Sequence, residues 1–209
     1  MAVVRTERGL DRLVNFSDAT VAIAITLLIL PLVDAAKDIG HQSFGDFFGE
    51  NFWELLAFVI SFAVIARYWV VHHRVFEWVQ DYDGRLVWLN FLWLATIVFM
   101  PFTANVLSNS NGERAEVDAL YIGNLLAISL AMQAIGAVLV RSPHLVREDA
   151  RGAMDSTRGW SAIIIIAVCL VLAVLVPSVG MFWLFLMFLS EPLHLLLRRL
   201  RRRPSQTTE

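Results

Sequence analysis

The chain predicts an all-α membrane domain of six spanning helices with both termini in the cytoplasm. Three observations carry that fold class. Of its 209 residues 57% are hydrophobic, with a mean hydropathy of +0.62, whereas a soluble domain is roughly 45–50% apolar. Apolar segments recur along the chain at about the 20 residues that one bilayer crossing needs. Six crossings also place fifteen of the seventeen Lys and Arg on one side of the membrane.

The first span is expected over residues 14–33. Its apolar run starts late and ends at Leu30-Pro31-Leu32 without a small-residue cleavage pattern, so it reads as a span rather than a cleaved signal peptide. The second covers 52–71, with Glu54 at the interface, and the third 86–107. The fourth covers 120–140. The apolar stretch from Ile163 onward is too long for one crossing, and Pro177-Ser-Val-Gly180 interrupts it. It is therefore divided into spans over 160–176 and 179–197, joined as a tight helical hairpin. The whole is one domain, 1–209, and 198–209 is a basic and then polar cytoplasmic tail. Gly40, Gly45 and Gly49 with three Phe mark the first loop as a short interfacial helix.

Loop charge sets the orientation. Arg5, Arg8 and Arg12 precede the first span, and Arg67, Arg74 and Arg85 surround the second-to-third loop. Arg141, Arg147, Arg151 and Arg158 follow the fourth span, and five arginines follow the last. Lys37 and Arg114 alone fall on the other side. Positive loops stay inside, so an even number of spans returns both termini to the cytoplasm.

Composition also limits function. A net charge of −2 argues against a nucleic-acid binder. The single Cys169 lies in an apolar run and reads as a buried thiol. No metal-ligand spacing, nucleophile elbow, phosphate loop or dinucleotide fingerprint occurs, so neither an enzyme nor a cofactor is expected. Glu191, beside Pro192 in the last span, reads as snorkelling or pairing with Arg198 rather than as a transport site.

The most informative segment is Arg12-Leu-Val-Asn-Phe-Ser-Asp18 and the apolar helix after it. Ile23, Leu27 and Leu30 recur at i, i+4 and i+7, within roughly 60° of one another on a helix, while Asp18 falls roughly 140° from Ile23. From the wheel alone, such an aliphatic stripe is ordinary packing. Thr20 and Thr26, each roughly 60° from Ile23, put hydroxyls beside it. A water-excluding constriction is the second reading, and it needs several copies around an axis.

The polar cluster has its own alternatives. With both termini inside, the start of the first span, the end of the second and the start of the third share one depth. Arg12, Ser17, Asp18, Trp69, His72, His73 and Asn90 can then meet. The first reading is a hydrogen-bond clamp joining three helices. A proton relay and cation attraction at a pore mouth are the others.

These residues resemble the transmembrane protein 175 family of potassium channels. The likeness rests on Arg12-x-x-x-Phe16-Ser17-Asp18 with its helix ending Ile29-Leu30-Pro31. Trp69-Val-Val-His72-His73-Arg74, Leu89-Asn90-Phe91 and Phe99-Met100-Pro101-Phe102 support it. It covers the first three spans by motif and the last three by topology. One six-span repeat is similar to prokaryotic members, which assemble as homotetramers, and sixteen Arg to one Lys also suits a prokaryotic host. The resemblance implies a first helix lining a central pore, with Ile23 as the main constriction and Leu27 and Leu30 as outer layers. Thr26 would offer hydroxyls to a partly hydrated cation. Arg12, Phe16, Ser17, Asp18, Trp69, Asn90 and one of His72 and His73 would form a scaffold rather than ion ligands.

The function expected is a leak-type potassium-permeable channel in a prokaryotic plasma membrane, with modest preference over sodium. Its partners would be its own copies, membrane lipid and monovalent cations, with no nucleic acid and no cofactor beyond the permeant potassium. A proton-coupled secondary transporter using Asp18 and a histidine is the alternative, predicting saturable, pH-coupled flux. A non-transporting membrane scaffold, predicting no flux, is the other.

Overall fold

The computed structural model describes residues 7–41, 43–110, 114–152 and 156–176. The described residues form α-helices joined by turns and short 3-10 segments. In chain order they are α1 (Glu7–Leu27), α2 (Leu30–Ala35), α3 (Phe44–Glu50), α4 (Phe52–Phe76), α5 (Gly84–Ser108), α6 (Ala115–Arg141) and α7 (Ser156–Leu175). The sixth expected span, the Pro177 hairpin, Glu191 and the arginine tail lie outside the described residues.

Among the described residues, four stretches are long and apolar enough to cross a bilayer: Arg8–Ala35, Phe52–Phe76, Gly84–Ser108 and Ala115–Arg141. Gly159–Leu175 is a shorter apolar helix. The helices outrun the hydropathic segments. α4 continues from 71 to Phe76 and α6 starts at Ala115 rather than 120. Helical hydrogen bonds persist through polar residues at the interface, whereas hydropathy stops at the first run of charges.

The first span is two helical pieces rather than one. Pro31 sits in the first turn of α2 and has no N–H for the Leu27 carbonyl, so the helix interrupts at Leu28 and Ile29. Ile29 N–H donates instead to the Thr26 carbonyl at 3.4 Å, and Val33 N–H to Ile29 at 3.0 Å. The expected short helix in the first loop is α3, whose Ser43 side chain caps the Asp46 N–H. Asp83 caps α5 by accepting from Leu86 N–H at 2.9 Å.

The α5–α6 and α6–α7 pairs form the central packing, and α1 and α4 lie against α5. Trp93, Ile97 and Met100 of α5, Leu125, Ile128 and Ile135 of α6, and Ile166 and Cys169 of α7 are buried in one core. Cys169 is thus a buried thiol, as its apolar context predicts. Two hydroxyl pairs fasten α4 to α6: Ser61 with Tyr121 at 3.1 Å and Tyr68 with Ser129 at 2.6 Å.

One end of the bundle gathers the start of α1, the α4–α5 loop and the α6–α7 loop. Val79 and Val146 form a single antiparallel bridge between those loops, and Arg147 N–H donates to the Trp78 carbonyl at 2.9 Å. This end carries Arg8, Arg12, Arg74, Arg85, Arg141, Arg147 and Arg151, while Lys37 and Arg114 sit at the ends of helices on the other side.

Candidate functional site

α1 has two faces with opposite fates. Ser17, Val21, Ala24 and Leu28 recur at helical spacing and are buried against the rest of the chain. Ile23, Leu27 and Leu30 stay 62%, 40% and 50% exposed. Packing against the other described residues therefore does not account for the stripe. Phe16, Ala19 and Thr26 share this uncovered face.

Hydroxyls on α1 turn inward to the backbone. Thr26 Oγ1 donates to the Ile23 carbonyl and Thr20 Oγ1 to the Phe16 carbonyl, each at 2.8 Å. A hydroxyl whose single hydrogen is used this way presents only lone pairs outward. Thr26 is exposed, so its oxygen is an acceptor on the uncovered face.

The buried face begins in a directional chain of hydrogen bonds across three helices. Ser17 Oγ donates to the Leu13 carbonyl at 2.8 Å, which leaves its lone pairs free. Asn90 Nδ2 of α5 donates to Ser17 Oγ at 2.8 Å. The amide oxygen of Asn90 then points at His72 of α4, whose Nε2 donates to it at 2.8 Å. All three side chains are fully buried. The His72 ring lies between Phe76 and Trp93, stacked on each with centroids 4.2 Å away. Among the described residues, its Nδ1 and the Trp93 indole N–H have no hydrogen-bond partner.

Asp18 is held separately. Trp69 Nε1 of α4 donates to Asp18 Oδ1 at 2.8 Å. His73 stacks on Trp69 at 5.3 Å and faces out, 3.4 Å from Glu77. The structure thus decides between the two histidines: His72 enters the chain with Asn90 and Ser17, and His73 backs the indole that holds Asp18. Phe16 sets its ring edge against Phe91 at 5.8 Å. Arg12 is exposed and outside these hydrogen bonds. Phe76 and Trp93 were not readable as members, because a stacking partner carries no polar signal in sequence. Asn124, outside both clusters and absent from the sequence reading, did carry a signal as an amide inside an apolar span: it is buried and donates to the Thr96 carbonyl of α5 at 3.1 Å.

A sequence profile described as endosomal/lysosomal potassium channel TMEM175 matches residues 12–101. A potassium channel of Chamaesiphon minutus is 30% identical over 142 residues, spanning 66% of this chain and 70% of that protein. The chain belongs to the TMEM175 family. A potassium channel of Streptomyces collinus is 37% identical over 141 residues, covering 64% of this chain and 66% of the relative. The chain thus spans about two thirds of these curated relatives. The crystal structure of a lysosomal potassium-selective channel TMEM175 homolog from Chamaesiphon minutus shares the fold with a TM-score of 0.67 and 25% identity. That likeness covers 94% of this chain and 100% of the solved one. The TMEM175 profile starts at Arg12 and stops at Pro101, so it takes in the stripe and both hydrogen-bonded clusters.

Proposed function

We propose that this TMEM175 protein is a leak-type, potassium-permeable cation channel formed by a homotetramer in a prokaryotic plasma membrane. The observation that carries the reading is the uncovered aliphatic face of α1: Ile23, Leu27 and Leu30 are exposed while the opposite face of the same helix is buried. Four copies facing an axis would stack these residues as rings narrow enough to exclude water. The Thr26 oxygen, one turn beyond Ile23 with its hydrogen already engaged, would receive a partly dehydrated cation. Hydroxyl oxygens without a rigid carbonyl cage discriminate potassium from sodium modestly. The clusters around Ser17 and Asp18 hold α1 against α4 and α5 and so fix which face it turns to the axis. The pairing of Asp18 with Trp69, and of His72 with Asn90, supports a scaffold over a shared proton site.

The test is ion flux into liposomes carrying purified protein, with potassium, sodium and protons compared. Ile23→Asn should raise potassium flux several-fold by wetting the constriction, and it leaves every bond of the two clusters in place. Unchanged flux would remove Ile23 from the pore. Saturable, pH-coupled uptake by the wild type would favour the transporter instead.

A further inference from the structure

We propose that Arg67 and Arg74, on the exposed face of α4, hold the phosphate of an anionic phospholipid from the arginine-rich leaflet, with its acyl chain against Ala63, Val70 and Val71. The inference does not depend on the channel reading.

Arg67 lies nine residues before the end of α4 at Phe76, about 13 Å along the axis. The apolar segment of α4 runs to residue 71, so the Arg67 backbone lies about 6 Å inside the hydrocarbon edge, a depth from which its long side chain reaches the interface. A charge at that depth is retained only beside an anion or within reach of the interface.

The described residues supply no such anion. Arg67 and Arg74 are both exposed and make no ion pair among the described residues. Glu77, the carboxylate one turn from Arg74, faces His73 at 3.4 Å. Asp18 accepts from Trp69. Among the described residues, both guanidiniums are thus open to an anion from outside.

A second copy fits poorly. Among the described residues of the spans, the one carboxylate near this depth is Asp18, which is half-buried and already bonded. An anionic phospholipid fits both halves of the surface. Arg67 and Arg74 are seven residues apart, on one face, stepping from the interface into the hydrocarbon. Between and beside them the exposed side chains are Ala63, Val70 and Val71. Long arginine stems lie along such aliphatic surface while their heads reach toward the phosphate layer.

Native mass spectrometry of the purified protein, titrated with phosphatidylglycerol or phosphatidylcholine, tests this. The wild type should retain phosphatidylglycerol at several-fold lower lipid concentration than phosphatidylcholine. Arg67→Leu and Arg74→Leu should each cut that preference about fivefold, the scale of one basic residue at an anionic surface. Arg67→Lys should keep most of it. No preference in the wild type overturns the proposal, and that measurement stands even where a leucine variant does not fold. An unchanged preference in the double variant overturns it too. So does a preference that persists while Arg67→Leu dissociates the oligomer, which would assign the arginine to a neighbouring copy.

Discussion

His72 Nε2 donates to Asn90 Oδ1 at 2.8 Å, joining α4 to α5 where neither side chain reaches solvent. Because Asn90 also donates to Ser17, the amide is used from both ends and three helices are fixed by one residue. His72→Leu should therefore cost stability through the stranded amide oxygen as well as the lost bond. Interhelical hydrogen bonds in membrane proteins average about 0.6 kcal/mol and reach about 1.7, and a fully buried pair belongs above that average. A double-mutant cycle with His72→Leu and Asn90→Leu, read by unfolding in mixed micelles, should give a coupling of about 1 kcal/mol. His73→Leu against Asn90→Leu should give none.

The Asp18–Trp69 bond predicts a different phenotype from the stripe. Asp18 takes one indole N–H and lies on the side of α1 that turns toward α4. Asp18→Ala should lower thermal stability and the recovered fraction of assembled protein. Trp69→Phe should reproduce that loss, because it removes the same bond and keeps the ring that His73 stacks upon. Size-exclusion profiles and melting in detergent measure both. A stable, assembled Asp18→Ala protein with altered ion preference would place the carboxylate on the ion path instead.

Asn124 bridges α6 to α5 beside a weak point. Pro101 lies inside α5 and leaves the Ile97 carbonyl without its usual donor four residues on. The Asn124 amide reaches the Thr96 carbonyl at 3.1 Å, one residue before that gap. Asn124→Leu should loosen α5 around Pro101 and cost about 1 kcal/mol. Hydrogen exchange should show faster exchange in α5 after Pro101 while α7 stays protected.

Much of this arrangement is legible in the residue order, for reasons that also mark where legibility stops. The i, i+4, i+7 spacing of Ile23, Leu27 and Leu30 places them on one face, but a wheel has no fixed origin and cannot say whether that face is covered. The structure supplies the origin, because Ser17, Val21, Ala24 and Leu28 are the covered ones. Loop charge brings the ends of three spans to one depth. It cannot separate His72 from His73, since adjacent residues differ by about 100° and only the position of α5 decides. Pro31 signals the interruption at Leu28 and Ile29, whereas the bridge between Val79 and Val146 joins two loops with no pattern of their own.

Gly9 yields the sharpest stability prediction. It lies in the third residue of α1 described, where a glycine costs about 1 kcal/mol relative to alanine. A methyl group there would collide with the Tyr82 hydroxyl, from the α4–α5 loop, and press on its ring. Helix propensity and close approach therefore oppose one another at this position. Gly9→Ala alone should gain nothing or lose stability, because the tyrosine must turn away to admit the methyl. In a Tyr82→Ser background the obstacle is gone, and the same change should stabilise by about 1 kcal/mol. The sign of Gly9→Ala should thus reverse between the two backgrounds in the same micelle unfolding assay. Equal effects in both would mean that α1 does not start against the α4–α5 loop.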